Sequence, residues 1–218
     1  MFPWHQIQTV LLDMDGTLLD LRFDNHFWLE YMPQRYGEKQ GLSVDQARAE
    51  LLTRYRAVEG TLDWYCIDYW SEQLDLDVVA LKREVAHLIA IRPYAVDFLD
   101  TLRNLGKRVV MVTNAHPGSL GLKMEKTRLS GCFDELISSH ALGVAKEDPA
   151  FWLRLGDVVP FQAKTTLLVD DNLTILQTAQ NAGIAYLLSI LRPDSTQPPK
   201  IAGDFPAIHD FSELLPLG

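Results

Sequence analysis

Cysteine is scarce in this 218-residue chain: only Cys66 and Cys132 occur, widely separated and with no C-x-x-C or regular Cys/His spacing. A disulfide framework is therefore excluded, a zinc site is not expected, and both are read as reduced core thiols. Long apolar runs are also missing. No stretch approaches the ~20 residues that span a bilayer, and residues 1–8 lack the basic start and apolar centre of a secretory signal, so a cytoplasmic protein is expected. Basic residues are in deficit, 20 against 29 acidic ones for a net charge of -9, which argues against nucleic acid or an anionic membrane as partner. Repeats and low-complexity tracts are absent. What remains is an ordinary globular composition, 47% apolar and 22% charged.

The most informative stretch is residues 9–20, Thr-Val-Leu-Leu-Asp-Met-Asp-Gly-Thr-Leu-Leu-Asp. Val10, Leu11 and Leu12 form a short apolar run ending in acid, as expected of a buried parallel strand that opens into a site. Asp13 and Asp15, two apart, can face one crevice, and Gly16 lets the chain turn away. A calcium loop of the EF-hand type does not fit, because Gly16 falls at the fourth loop position instead of the sixth. Two carboxylates at one point repel by roughly 4 kcal/mol at ~4 Å and an effective dielectric of about 20, so a cation is implied.

Residues 21–91 then read as helical throughout. Start signals are Asp24 or Asn25 before 27–36, Ser43 with Gln46 as a capping box, Asp63 before 64–74, and Asp77 before 78–89, with Pro33 a candidate break in the first helix. A block this large after a first strand is expected to be a small helical domain covering the site, inserted into an α/β core formed by residues 1–20 and 92–218. Nearly half of the aromatic residues lie between Phe23 and Trp70. Trp28, Tyr31, Trp64, Tyr65, Tyr69 and Trp70 are first of all packing residues, although one or two stacked on a purine base would suit a flat ligand.

From Arg92 α/β alternation returns. A helix is predicted from Pro93 through Val96, Leu99 and Leu102 to Gly106, and strands over 109–112, 136–138, 166–169 and Tyr186–Ile190. After the first of these, Thr113 and Asn114 precede a helix start, a ready anion site. Lys146 precedes another helix start on the same edge, where it can reach the carboxylates. The strand at 166–169 also ends in acid, Asp170 and Asp171, before a helix over 173–182. Unpaired buried carboxylates cost several kcal/mol each, so two acidic pairs converging on one edge imply a metal. Residues 192–206, rich in proline, read as a surface tail before a short helix near Phe211.

Asp13-Met-Asp-Gly-Thr17, Thr113-Asn114, Lys146 and Asp170-Asp171, in that order, resemble the four motifs of the haloacid dehalogenase superfamily of phosphatases. The resemblance implies a Rossmann-like α/β core with a central parallel sheet flanked by helices, and an inserted all-helical cap of the C1 type. It further implies that Thr113 holds a phosphoryl group, that Lys146 offsets negative charge, and that Asp171 binds Mg²⁺; Asp170 stands where relatives often carry Gly or Glu. Longer matches, including Asp-Trp-Tyr-Cys-Ile-Asp-Tyr-Trp-Ser-Glu-Gln-Leu at 63–74, look like the bacterial GMP/IMP 5'-nucleotidase branch. The substrate implied is a purine nucleoside 5'-monophosphate, a small phosphate monoester, handled by what is expected to be a monomer.

In chemical terms, Asp13 is expected to attack phosphorus and form an aspartyl-phosphate, while Asp15 serves as acid and then as base. With Mg²⁺ and Lys146 opposing four carboxylates, the site keeps a negative balance, and repulsion between like charges is expected to raise the Asp15 pKa. Mg²⁺ is expected to bridge the Asp13 carboxylate, the Asp15 main-chain oxygen and Asp171, with Asp170 a further candidate ligand. Asp15 disfavours dehalogenation, which needs no proton donor. A phosphatase or phosphomutase for a sugar phosphate or phosphoglycolate is the alternative, and a non-enzymatic binding relative a third. Asp24, Asn25 and His26 lie close enough to the acidic turn to reach a substrate, with helix capping as the competing role.

Overall fold

In a computed structural model that describes residues 2–217, six parallel strands form one sheet in the order β3-β2-β1-β4-β5-β6. They are β1 (Thr9–Leu12), β2 (Arg108–Thr113), β3 (Glu135–Ser138), β4 (Thr166–Asp170), β5 (Tyr186–Ile190) and the two-residue β6 (Ala207–Ile208). The central strand β1 pairs on both sides in one register, Leu12 opposite Met111 of β2 and Val169 of β4. The acids that follow β1 and end β4 therefore share one edge. Side chains alternate between the faces. Val10 and Leu12 join a cluster with Phe98, Leu99 and Phe211, while Leu11 packs with Phe151, Leu155 and Leu176 on the other face.

Between β1 and β2 lies the helical insert: α1 (Arg22–His26), a π turn (Phe27–Tyr31), α2 (Met32–Gln40), α3 (Val44–Val58), α4 (Leu62–Tyr65), α5 (Ile67–Leu74) and α6 (Val78–Glu84), with a 3₁₀ turn at Ala86–Leu88. Its own buried cluster, centred on Phe27, Tyr55 and Trp70, takes in Leu122 from beyond the insert. The chain leaves and returns side by side: the Asp20 N–H donates to Ala90 O at 2.9 Å, the Arg92 N–H to Leu18 O at 2.9 Å, and Leu19 bridges Ile91.

The remaining helices are α7 (Ala95–Asn104), α8 (Pro117–Thr127), α9 (Ser139–Leu142), α10 (Ala150–Val158) and α11 (Leu173–Asn181). Local signals succeed where a side chain has no other task. The Ser43/Gln46 capping box forms, and Asp77 caps α6. Asp24 and Asn25, expected as caps, sit inside α1; the first-turn amide of Arg22 is taken by Asp20 at 3.0 Å, while Asp24 is bound by two lysines. Pro33 does not break its helix, because it falls just after the π turn, where the wide backbone tolerates a missing N–H.

The helix predicted over 64–74 is interrupted at Cys66, whose extended backbone and Sγ cap α5. The one predicted over 78–89 ends at Glu84 in the 3₁₀ turn. Helix α7 starts at Ala95 after Tyr94 in the left-handed region, two residues past Pro93, so Val96 faces solvent while Ala95, Phe98, Leu99 and Leu102 are buried. The proline-rich segment is not a free tail. Backbone carbonyls at Arg192 and Pro193 accept from the Arg92 guanidinium, Asp194 is buried, and β6 extends the sheet. Neither cysteine is disulfide-bonded, and both are only half-buried.

Candidate active site

The residues after β1 and β4 and around β2 line one cavity of about 410 Å³ between the sheet edge and the insert. Asp13 is held at the strand end by its N–H to Val169 O at 3.0 Å. Lys146 reaches it through the protein interior. Its Nζ donates to Asp13 Oδ1 at 2.6 Å, Asp170 Oδ2 at 2.7 Å and Val112 O at 3.0 Å, with the residue 1% exposed, so all three ammonium protons are engaged. Burial opposes its charge, but Asp13 and Asp170 outweigh it and move the Lys146 pKa up. Burial pushes Asp13 up to about 6, with Lys146 opposing and Asp170 adding.

Asp170 is likewise pushed up to about 6 by burial, against Lys146. Its second oxygen accepts the Asn172 N–H at 2.9 Å. Asp171 accepts from Lys200 Nζ at 2.9 Å and is raised by burial despite that lysine. Gly16 makes the approach of Asp171 to the acidic turn feasible: at φ +86° its backbone suits glycine, and a Cβ there would lie 2.8 Å from Asp171 Cγ. Carboxylate oxygens of Asp13, Asp170 and Asp171 all fall within 4.8 Å of one another. Such an all-oxygen, anionic donor set fits a hard divalent cation.

Asp15 points to a different cation. Lys123 of α8 bridges Asp15 Oδ1 at 2.7 Å and Asp24 Oδ2 at 2.6 Å, and Lys82 of the insert completes the row on Asp24 Oδ1 at 2.8 Å. The Asp15 carboxyl is pushed up to about 7, first by burial and then by Asp24 and Asp13, with Lys123 opposing. Repulsion, expected from the sequence as the main cause, is thus secondary to desolvation. For Asp24 burial acts upward but Lys123 and Lys82 prevail, holding it below the usual carboxylate range.

Thr113 is buried against the cavity, its Oγ1 accepting the Ala115 N–H at 3.0 Å. The Asn114 amide is committed elsewhere: Nδ2 donates to Glu147 Oε2 at 2.9 Å, and Oδ1 accepts the Lys146 N–H at 2.9 Å. Asn114 therefore positions Lys146. Tyr65 of the insert closes this chain with a 2.6 Å bond to Glu147 Oε1. Trp28, Tyr55, Trp64, Tyr65 and Trp70 face the cavity, whereas Tyr31 and Tyr69 do not line it. Asn25 lines it too, donating to Asp194 Oδ2 at 2.7 Å, while His26 pairs with Glu30 outside it. Lys82, Lys123, Lys200 and Glu147 escaped the sequence reading, since a helical or loop charge carries no local mark of burial.

A family profile described as haloacid dehalogenase-like hydrolase matches residues 7–183. The chain belongs to the haloacid dehalogenase-like hydrolases. As a member, it is 41% identical over 213 residues to the GMP/IMP nucleotidase YrfG of Escherichia coli (strain K12), covering 98% of this chain and 96% of that one. It is 27% identical to a phosphoglycolate phosphatase of Pseudomonas putida, covering 99% and 81%. The haloacid dehalogenase fold is shared with a phosphatase from Thermococcus onnurineus at TM-score 0.80 and 24% identity, over 95% and 96% of the two chains. Among the described residues, no helix is long and apolar enough to cross a membrane.

Proposed function

We propose that this hydrolase removes phosphate from purine nucleoside 5'-monophosphates, with residues 21–91 as a cap domain over a core of 1–20 and 92–218. The observation that carries this reading is the cavity itself: Asp13 and Lys146 lie at its floor, and the walls contributed by the cap are Trp28, Tyr55, Trp64 and Trp70. A purine ring offers large flat faces to such walls. The full-length similarity to YrfG, which includes the cap, supports the same substrate class.

Asp13 attacks phosphorus in line, a P–O bond to its carboxylate forms, and the bond to the nucleoside 5'-oxygen breaks. Asp15, with a pKa raised to about 7, retains a proton near neutrality and gives it to the departing oxygen. The resulting Asp15 carboxylate then takes a proton from water, which attacks the aspartyl-phosphate and returns Asp13 with release of phosphate. Lys146 keeps the Asp13 carboxylate oriented and offsets its charge. Thr113 is assigned to the phosphoryl oxygens. Asp13, Asp170, Asp171 and the main-chain oxygen of Asp15 are assigned to Mg²⁺, which when bound neutralises charge shared by the carboxylates and the phosphoryl group.

The test is phosphate release from GMP, IMP, AMP, pyrimidine nucleotides, sugar phosphates and phosphoglycolate, with and without Mg²⁺. The purine monophosphates should exceed the other compounds at least tenfold in kcat/KM, and chelation should abolish turnover. Preference for phosphoglycolate or a sugar phosphate would overturn the reading.

A further inference from the structure

Cys66, His116 and His140 lie far apart in sequence but meet where the cap rests on the core. Cys66 sits at the break between α4 and α5, His116 at the N-cap of α8, and His140 in α9 just after β3. One potential ligand atom from each lies within 4.8 Å of the other two. The two imidazoles pack edge to face with centroids 4.9 Å apart. Nε2 of His140 is buried and has no hydrogen-bond partner among the described residues, an arrangement that is costly and needs a reason. Cys66 Sγ accepts the Tyr69 N–H at 3.4 Å, and the Asp68 carboxylate lies 3.4 Å from His116 Nε2.

We propose that Cys66, His116 and His140 form a binding site for a borderline-soft divalent transition metal, Zn²⁺ or its analogues, that clamps the cap to the core. One sulfur and two imidazole nitrogens are the donors such ions prefer, whereas Mg²⁺ seeks oxygen, so the two ions have separate addresses on this protein. Metal–ligand bonds of about 2.0–2.3 Å place tetrahedral ligand atoms roughly 3.5 Å apart, a contraction from the present spread that side-chain torsions can supply. On binding, the Cys66 thiol loses its proton to solvent as the sulfur–metal bond forms. Thiolate and Asp68 together bring two negative charges against the dication. His140 Nε2 gains the partner it lacks.

The consequence follows from which side each ligand belongs to. Cys66 and Asp68 are carried by the cap, His116 and His140 by the core, and His116 also lines the catalytic cavity. An ion shared among them ties the two units together over bound substrate or product and slows the opening on which turnover depends.

Co²⁺ is the probe, added to the full chain in the presence of excess Mg²⁺. A thiolate-to-cobalt charge-transfer absorption should saturate at one equivalent; the carboxylate cluster, having no sulfur, cannot produce it. Cys66→Ser, which keeps an acceptor for the Tyr69 amide, and His140→Gln should each weaken or abolish the band, and Cys132→Ser should retain it. Zn²⁺ under the same conditions should slow phosphate release, with at least a tenfold higher concentration needed in Cys66→Ser. A missing band, a band surviving Cys66→Ser, or equal Zn²⁺ inhibition of wild type and Cys66→Ser would overturn the proposal. The absorption readout stands whatever the substrate proves to be.

Discussion

Replacing Asp13 by asparagine should abolish phosphate release and, without divalent cation, make the protein more stable. Asp13 is 5% exposed, and burial moves its carboxyl from 3.8 to about 6. That displacement corresponds to about 3 kcal/mol by which the folded state disfavours the ionised form relative to the unfolded chain. Asparagine resembles the neutral form. Because the folded pKa lies above the unfolded one, this group's stability contribution is fully present below about pH 4 and is lost as pH rises through about 6.

The advantage of Asp13→Asn should accordingly be near zero at about pH 4 and reach about 3 kcal/mol at about pH 7.5, or roughly 6–12 °C in Tm for a chain of this size. Saturating Mg²⁺ should close most of the gap, since a cation at a hundred times its Kd returns about 2.7 kcal/mol to the protein that binds it. Urea and thermal unfolding from pH 4 to 8, with EDTA or Mg²⁺, measure each term. A metal-free Asp13→Asn protein less stable than wild type at pH 7.5 would refute the argument that the carboxylate is held against its preference for water. Substantial residual phosphate release would refute covalent catalysis.

Asp15→Asn should slow phosphoenzyme formation by about 10²–10⁴-fold and leave the intermediate almost undischarged, as rapid-quench trapping would show; a burst decaying at the wild-type rate would contradict its assignment. Lys123→Met removes the cation shared by Asp15 and Asp24, and because Lys82 still holds Asp24 and Asp15 can take up a proton, urea unfolding at pH 7.5 should register a loss of about 1–3 kcal/mol. Gly16→Ala brings a Cβ to 2.8 Å from Asp171 Cγ at a backbone φ of +86°, so the Mg²⁺ concentration for half-maximal activity should rise at least tenfold. An unchanged Mg²⁺ requirement would remove Asp171 from the cation site.

The sheet and one edge of the site were legible because their signals are local. Apolar runs ending at Asp13 and Asp170 each carry their meaning within a few residues, and Lys146 could be placed because it adjoins a helix start on that same edge. The second charge row was not. Lys123 lies mid-helix, spaced like any solvated lysine, and only the packing of the helical insert against the sheet edge brings it between Asp15 and Asp24. Asp24 illustrates the converse error: its position favoured a capping role, but two buried ammonium groups claim it. Pro33, Cys66 and Tyr94 misled through backbone geometry, since a π turn, a helix break and a left-handed residue leave no mark in hydrophobic periodicity. Lys200 and Asp194 were hidden by a proline-rich composition that resembles a tail, although the segment folds back to Asp171 and Asn25.

The paired peptide units at Leu18–Asp20 and Ala90–Arg92 mean that the polypeptide departs from the sheet and rejoins it through a single doorway. Because the two crossings bond to each other, the register of β1 against its neighbours is set on the sheet side of that doorway. Any replacement grafted at this junction would still have to present an acid to Lys123 and a hydroxyl to Glu147, because Asp24 and Tyr65 reach back from the insert to the residues that hold Asp15 and Lys146.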